Sequence, residues 1–331
     1  MIDWREYSDV GAHFQGIPRM EARMKVPEEL FKYTKVGTGK EIISGLSLRA
    51  TQPDQFNDPF EFLPSRYKKV KPKDVRKMAH STESLHRYHD VLRAAGKFTD
   101  SFKKFKYFMR NSENAAPIIE KATEGIKNRD FLDFVTEFSR HFGVICFTPS
   151  PSNILMWSHY ADMHRGMAIG FRPELLVKQH GYNWHEVHYS DHRVVLPFQP
   201  KSEDEQRRQT NDLISTKAEC WDYEEEWRVL ARLRELEQVE DTDIFLMPFP
   251  PGAITRVIVG FKAGSDCYDA VHDCVRNALG AGVAVQKAEL DKECYAVVVP
   301  ELTDGTAHKP GADCSVQQQS TSNPSPSRTE G

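Results

Sequence analysis

Cysteine is scarce in this chain and scattered. Six occur in 331 residues, at Cys146, Cys220, Cys267, Cys274, Cys294 and Cys314, and none form a C-x-x-C pair. That spacing supports neither a disulfide framework nor a cysteine-based zinc site, so the thiols are expected to be mostly buried. No apolar run approaches the roughly 20 residues of a membrane-spanning helix. The first residues, Met1-Ile2-Asp3-Trp4-Arg5-Glu6, lack the basic start and apolar stretch of a secretory signal, so a cytoplasmic protein is expected. G-x-G-x-x-G, the Walker loop, G-x-S-x-G and H-E-x-x-H are all missing, as is any internal repeat. Four histidines, His180, His185, His188 and His192, fall within 13 residues. His185 and His188 would face opposite sides of a strand, however, so no metal site is expected.

The chain has enough apolar content for a sizeable core, at 39% hydrophobic, and enough charge, at 28%, for a water-facing surface. The formal net charge of −4 conceals an asymmetry. Arg66–Arg110 holds 14 Lys and Arg against 4 Asp and Glu, so it carries +10 and the remainder −14. Such a block is either the solvated face of helices or a contact for an acidic partner, nucleic acid or protein.

Periodicity predicts an α+β fold, a mixed or antiparallel sheet with a helical insertion over about 73–142. Strands are expected at 30–34, 45–50, 143–147, 167–171, 185–189, 227–231, 254–259, 283–288 and 295–299. A helix is expected over 154–163, capped from the preceding Ser/Pro/Asn loop and ending before Gly166, and another over 265–279. Residues 201–216 read as helical or loose. Residues 1–25 read as a weakly structured leader, 26–300 as one domain, and 301–331, rich in Ser, Thr, Gln, Pro and Gly, as a disordered tail.

Three stretches mix aromatic rings with ionisable groups: Gln55–Glu61, Met156–Tyr160 closing at Gly166, and Trp221–Arg228. Rings favour a core and charges resist burial unless paired, so such stretches line a cleft or a buried polar network. With a strand beginning near Glu224, Glu224, Glu226 and Arg228 would share one face. That face is either a structural salt bridge or a rigidly held carboxylate able to orient a hydroxyl or favour a developing cation. Trp157 and Tyr160 lie one helical turn apart, as core or as a wall for a flat ring, and His159 between them needs a polar partner. Asn57 and Asp58 hold a turn, or else Asp58 or Glu61 stands at a pocket rim.

Lys32-Tyr33, Phe56–Glu61, Cys146-Phe147-Thr148, Trp157-Ser158-His159-Tyr160 with Gly166, and Glu224, Glu226, Trp227 and Arg228 together resemble a bacterial family known as domain of unknown function 2971. The resemblance runs from about Leu30 to Val299. Some members of that family are associated with phage-resistance loci. A strand at 143–147, a Ser/Thr loop and a helix bearing Tyr160 are also similar to the nicotinamide-binding segment of ADP-ribosyltransferases. That second resemblance implies an ADP-ribosyltransferase-like core and NAD as substrate. It implies catalytic roles for Glu226 and Tyr160, to which the strand-face reading adds Glu224 and Arg228. It implies cofactor contacts from Lys32, Tyr33, Arg49, Thr148, Ser150, Trp157 and His159. The chain departs from that pattern in having no His or Arg at the first position, and Cys146 where some such enzymes carry Tyr.

Three readings follow. The first is an NAD-dependent ADP-ribosyltransferase in phage defence, breaking the nicotinamide–ribose bond through an oxocarbenium-like state. The second is a non-enzymatic module that binds nucleic acid or an acidic protein through Arg66–Arg110. The third is a nuclease with Asp58, Glu61 and Glu226 around a divalent ion.

Overall fold

The structure, a computed structural model, describes residues 25–300 apart from 68–70, 81–84, 87–88, 90–92, 94–99, 125–127 and 197–202. The expected leader, save for residue 25, and the expected tail lie outside the described residues. The fold is α+β, built from small and mostly antiparallel sheets.

The largest sheet has four strands in the order Leu30–Thr34, Met167–Phe171, Ile254–Val259, Ala284–Lys287. The first three pair antiparallel and the last pair is parallel. Met167–Phe171 is buried at every position, as an apolar strand covered on both faces should be. The parallel pair is joined through helix Ser265–Leu279, which turns Val271 and Val275 into the core. It packs on helix Val36–Gly45, an element that periodicity does not reveal. That short segment carries Gly37, Gly39 and Gly45, each a poor helix former. Tertiary packing overrides propensity here. A β-carbon on Gly39 would lie 2.3 Å from the Met167 sulfur, so glycine is what lets the helix reach the sheet.

A second sheet places Trp227–Arg232 between Phe142–Phe147 and Trp184–Glu186, all antiparallel. Reciprocal hydrogen bonds between Phe31 and Thr148 (2.7 and 3.0 Å) tie it to the first sheet. A similar pair between Thr51 and Val144 (3.0 and 2.8 Å) ties it to the third, in which Phe245–Pro248 lies between Ser47–Ala50 and Glu237–Gln238. The stretch 185–189, expected as one strand, is two. Trp184–Glu186 pairs with Trp227–Val229, and His188–Tyr189 pairs parallel with Thr216–Lys217. This break carries Lys217 and Tyr189 to the edge of the second sheet.

Between Ser47–Ala50 and Phe142–Phe147 the described residues include helices Pro72–Met78, Phe102–Arg110, Ser112–Glu124 and Asn128–Ser139. Val75, Leu85, Phe105, Met109, Ala115, Ala116 and Ile119 form a separate small core among them. The thiols depart from expectation. Cys146, Cys267 and Cys274 are half-buried, Cys220 and Cys294 are exposed, and Cys314 lies outside the described residues. Among the described residues no helix is long and apolar enough to cross a membrane.

Candidate functional site

The Trp221–Arg228 segment is not one strand. Glu219–Glu224 is a turn of 3-10 helix, Glu225 follows in the left-handed region at φ 45°, and the strand begins at Trp227. Glu224 therefore shares no strand face with Glu226 and Arg228. Instead Lys217, from the edge strand, reaches between them. Its ammonium donates to Glu224 Oε2 at 2.6 Å and to Glu226 Oε2 at 3.0 Å, and stands 3.8 Å from Glu61 Oε2.

Arg228 is fully buried and uses its guanidinium fork on both sides. Nε donates to Glu226 Oε1 at 2.7 Å, and Nη2 donates to Glu226 Oε2 at 2.9 Å. Nη2 also donates to Glu61 Oε1, and Nη1 donates to the Ile214 carbonyl at 2.7 Å. The Phe62 ring lies 5.6 Å from the guanidinium. Glu61 is thus drawn inward from its loop rather than standing at a rim, and Asp58 turns back to accept from the Phe60 amide at 2.9 Å. On the outer side, the Tyr160 phenol donates to Glu224 Oε1 at 2.6 Å. Tyr189 accepts from the Glu226 amide at 2.8 Å. Asn153 caps the Tyr160 helix by accepting from the amides of Leu155 and Met156 at 2.9 and 3.1 Å. Its amide donates to the Tyr223 carbonyl at 2.6 Å, which fixes the helix to the Glu224 turn.

Three carboxylates, Glu61, Glu224 and Glu226, thus surround two cations, Lys217 and Arg228. Glu226 is held well below the ordinary carboxylate range: Arg228 and Lys217 outweigh the opposing cost of its burial. Burial pushes Glu61 and Glu224 the other way, against Arg228 and Lys217 at Glu61 and against Lys217 alone at Glu224. The three acids are therefore not equivalent, and the divergence separates an ionised anchor from acids able to hold a proton. Burial also lowers Lys32, against the pull of Cys146 and Glu226. Its ammonium donates to the Cys146 carbonyl at 3.2 Å. Tyr160 is raised by burial and by its bond to Glu224.

The cluster is walled in by protein on most sides and comes nearest the surface around Glu224. Tyr160, Tyr189, Trp221 and Tyr223 are half-buried there, and His159 and Asn57 are exposed. The Trp221 and Tyr223 centroids are 6.1 Å apart, and the Lys217 ammonium is 5.1 Å from the Trp221 ring. Asn57 stands beside the Tyr160 phenol.

Of the expected residues, Glu226, Tyr160, Glu224 and Arg228 meet in this cluster. Lys32 lies behind it on the first sheet. Trp157 is fully buried: its indole donates to the Pro151 carbonyl at 3.0 Å and meets Tyr33 edge-on at 5.0 Å. Tyr33 is also buried and donates to the Ser150 carbonyl at 2.9 Å. These two rings pack the back of the Tyr160 helix and present no face to a ligand. Thr148 is fully buried at the bridge between sheets, and Ser150 is half-buried. Arg49 is exposed, donating to Gln55 Oε1 at 2.6 Å, two residues from Asn57. His159, exposed, does not need the polar partner its sequence position suggested.

Lys217 and Tyr189 carry no signal of a site in the sequence, and His185 stands out there only as one of four clustered histidines. They are ordinary residues of short edge strands, and only strand register brings His185 and Cys146 beside Arg228. Ser158 and His164 also meet, with Oγ 3.0 Å from Nε2. The Ser158 hydroxyl also donates to the Ile154 carbonyl at 2.9 Å, one turn back on its own helix. For a divalent ion among Asp58, Glu61 and Glu226, the donor set does not fit. Arg228 and Lys217 fill the space between the two glutamates, and Asp58 is committed to its own turn.

A family model described as "Protein of unknown function (DUF2971)" matches residues 156–229, the stretch from the Tyr160 helix through Arg228. No curated protein and no solved structure matches the chain.

Proposed function

We propose that this chain is an ADP-ribosyltransferase-like enzyme that uses NAD as substrate, with Glu224 as the working carboxylate and Glu226 as its anchor. The supporting observation is the single chain of contacts from Tyr160 through Glu224 and Lys217 to Glu226. Glu226 is held twice by the Arg228 guanidinium and once by Lys217, so it holds position and field, whereas Glu224 meets one ammonium and the neutral Tyr160 phenol. Glu224 lies on the solvent side, beneath the half-buried rings.

Residues on that side suit the sugar and base of a dinucleotide. Trp221, Tyr223 and Tyr160 offer flat surfaces, and Glu224 offers a hydroxyl acceptor. In the transfer, the bond from ribose C1′ to the nicotinamide nitrogen breaks with its electron pair leaving on nicotinamide, and an acceptor hydroxyl or amine forms the new bond at C1′. The three-carboxylate cluster, with one negative charge more than its two cations when all are ionised, favours the positive charge that develops on the ribose. Glu224 takes the proton given up by the incoming nucleophile, and the pull of burial on its carboxyl suits that task.

Thermal unfolding with NAD and release of nicotinamide test this reading. NAD should raise the melting temperature, and Glu224→Gln should abolish release while leaving the fold intact. Absence of both stabilisation and nicotinamide release, at NAD far above usual affinities, would overturn the proposal.

A further inference from the structure

Helix Phe102–Arg110 has two unlike faces. Phe105 and Met109 are fully buried in the small core of the insertion, and Phe102 and Phe108 pack partly against it. The opposite face carries Lys103, Lys106, Tyr107 and Arg110, all exposed. Their spacing of three, four and seven residues sets them in one stripe along the helix. Tyr107 is 77% exposed, a large ring left in water at the middle of three cations. Lys104 beside the stripe pairs with Asp100 at 2.9 Å. Lys103, Lys106 and Arg110, by contrast, have no acidic partner among the described residues. Helix Pro72–Met78 packs against the same helix and adds exposed Lys73 and Arg76. Arg76 is only loosely matched to Glu113, at 3.9 Å.

We infer that this stripe binds a single-stranded polynucleotide. Unpaired cations in a row match a line of phosphates, and their release of counterions supplies salt-dependent affinity. That charge match alone would fit any polyanion. The tyrosine decides between them: an exposed ring flanked by cations stacks on an unstacked base, which a duplex or an acidic peptide does not offer. Seven residues of helix, at about 1.5 Å each, carry the cations over roughly 10 Å, enough for two or three nucleotides. The inference does not depend on NAD chemistry.

The test is fluorescence anisotropy of labelled twelve-nucleotide oligo(dT), oligo(U) and a duplex of the same length, using the full chain. Both single strands should bind more tightly than the duplex, with a log–log salt slope of about −2 for three phosphates. The triple variant Lys103→Glu, Lys106→Glu, Arg110→Glu should lose at least tenfold in affinity with its melting temperature unchanged, since all three side chains are exposed. Tyr107→Ala should lose at least about fivefold and Tyr107→Phe should retain binding, because the ring and not the hydroxyl stacks. Glu224→Gln should bind as the parent does, which separates this result from the fate of the proposed enzyme. Binding unaffected by the triple variant, Tyr107→Ala equal to the parent, or polyglutamate binding as tightly as oligo(dT) would each overturn the inference.

Discussion

Replacing Glu226 by glutamine asks whether the buried carboxylate is the keystone its geometry implies. Glu226 is 4% exposed and accepts from Arg228 Nε at 2.7 Å, Arg228 Nη2 at 2.9 Å and Lys217 at 3.0 Å. Glutamine keeps the shape but turns one acceptor oxygen into an NH2 group facing cationic N–H donors. Removing one partner of a buried ion pair costs about 3–5 kcal/mol. The loss of one charge also takes the cluster from three carboxylates against two cations to a balanced two and two. That relief places the expected cost at the lower end, about 3 kcal/mol. For a protein of this size the melting temperature should fall by about 6 °C, from roughly 2 °C per kcal/mol. Glu61→Gln is the internal comparison. Glu61 has one hydrogen bond, to Arg228, while its second oxygen is buried with no partner nearer than Lys217 at 3.8 Å. With a single charged bond, it should cost less, about 1.5–2 kcal/mol. Urea unfolding followed by far-ultraviolet circular dichroism measures both, with the m-value expected to hold. Glu226→Gln within 1 kcal/mol of the parent, or Glu61→Gln at least as damaging, would refute the assignment of Glu226 as anchor.

Three further outcomes are expected. His185 is held neutral, its pKa lowered from 6.5 to about 4 by burial and by Arg228. The unfolded chain therefore binds the extra proton, so stability is full above pH 6.5 and falls by up to about 3 kcal/mol as pH drops from 6.5 to 4. His185→Asn should flatten that limb of a pH series of urea midpoints, and an unchanged limb would contradict it. Tyr160→Phe removes the 2.6 Å bond to Glu224. It should cost about 1 kcal/mol in stability yet at least tenfold in nicotinamide release, and full turnover would show that the phenol does not position Glu224. A β-carbon on Gly166 would lie 2.2 Å from the Thr34 carbonyl oxygen and 2.8 Å from the Ala161 carbonyl carbon, both backbone. Gly166→Ala should therefore destabilise by about 2–3 kcal/mol in thermal unfolding, and a neutral result would mean that the helix end can shift.

The apolar strands were plain in the sequence because their patterns are local. Leu30–Thr34, Met167–Phe171 and Ile254–Val259 are short apolar or alternating runs bounded by turn residues, and they stand where periodicity puts them. The Ile254–Lys287 β-α-β unit was equally visible. Helix Val36–Gly45 was not, because its glycines argue against a helix until Met167 is packed upon it. The left-handed backbone at Glu225 has no local signature either, and it moves Glu224 off the expected strand face. The carboxylates and Arg228 were recognisable as residues that needed partners. Lys217, which joins them, was one lysine among many.

The order of residues alone determined which segments are apolar enough to fold inward, and that acids and an arginine beside Trp227 could not be buried unmatched. Those are consequences of solvation, which each stretch of chain carries with it. Which charge meets which was decided only when the sheets assembled. Glu61 and Arg228, 167 positions apart, are joined because strand register and an inward-turned loop bring them together. Electrostatic pairing depends on distance in space, and a sequence records distance only along the chain.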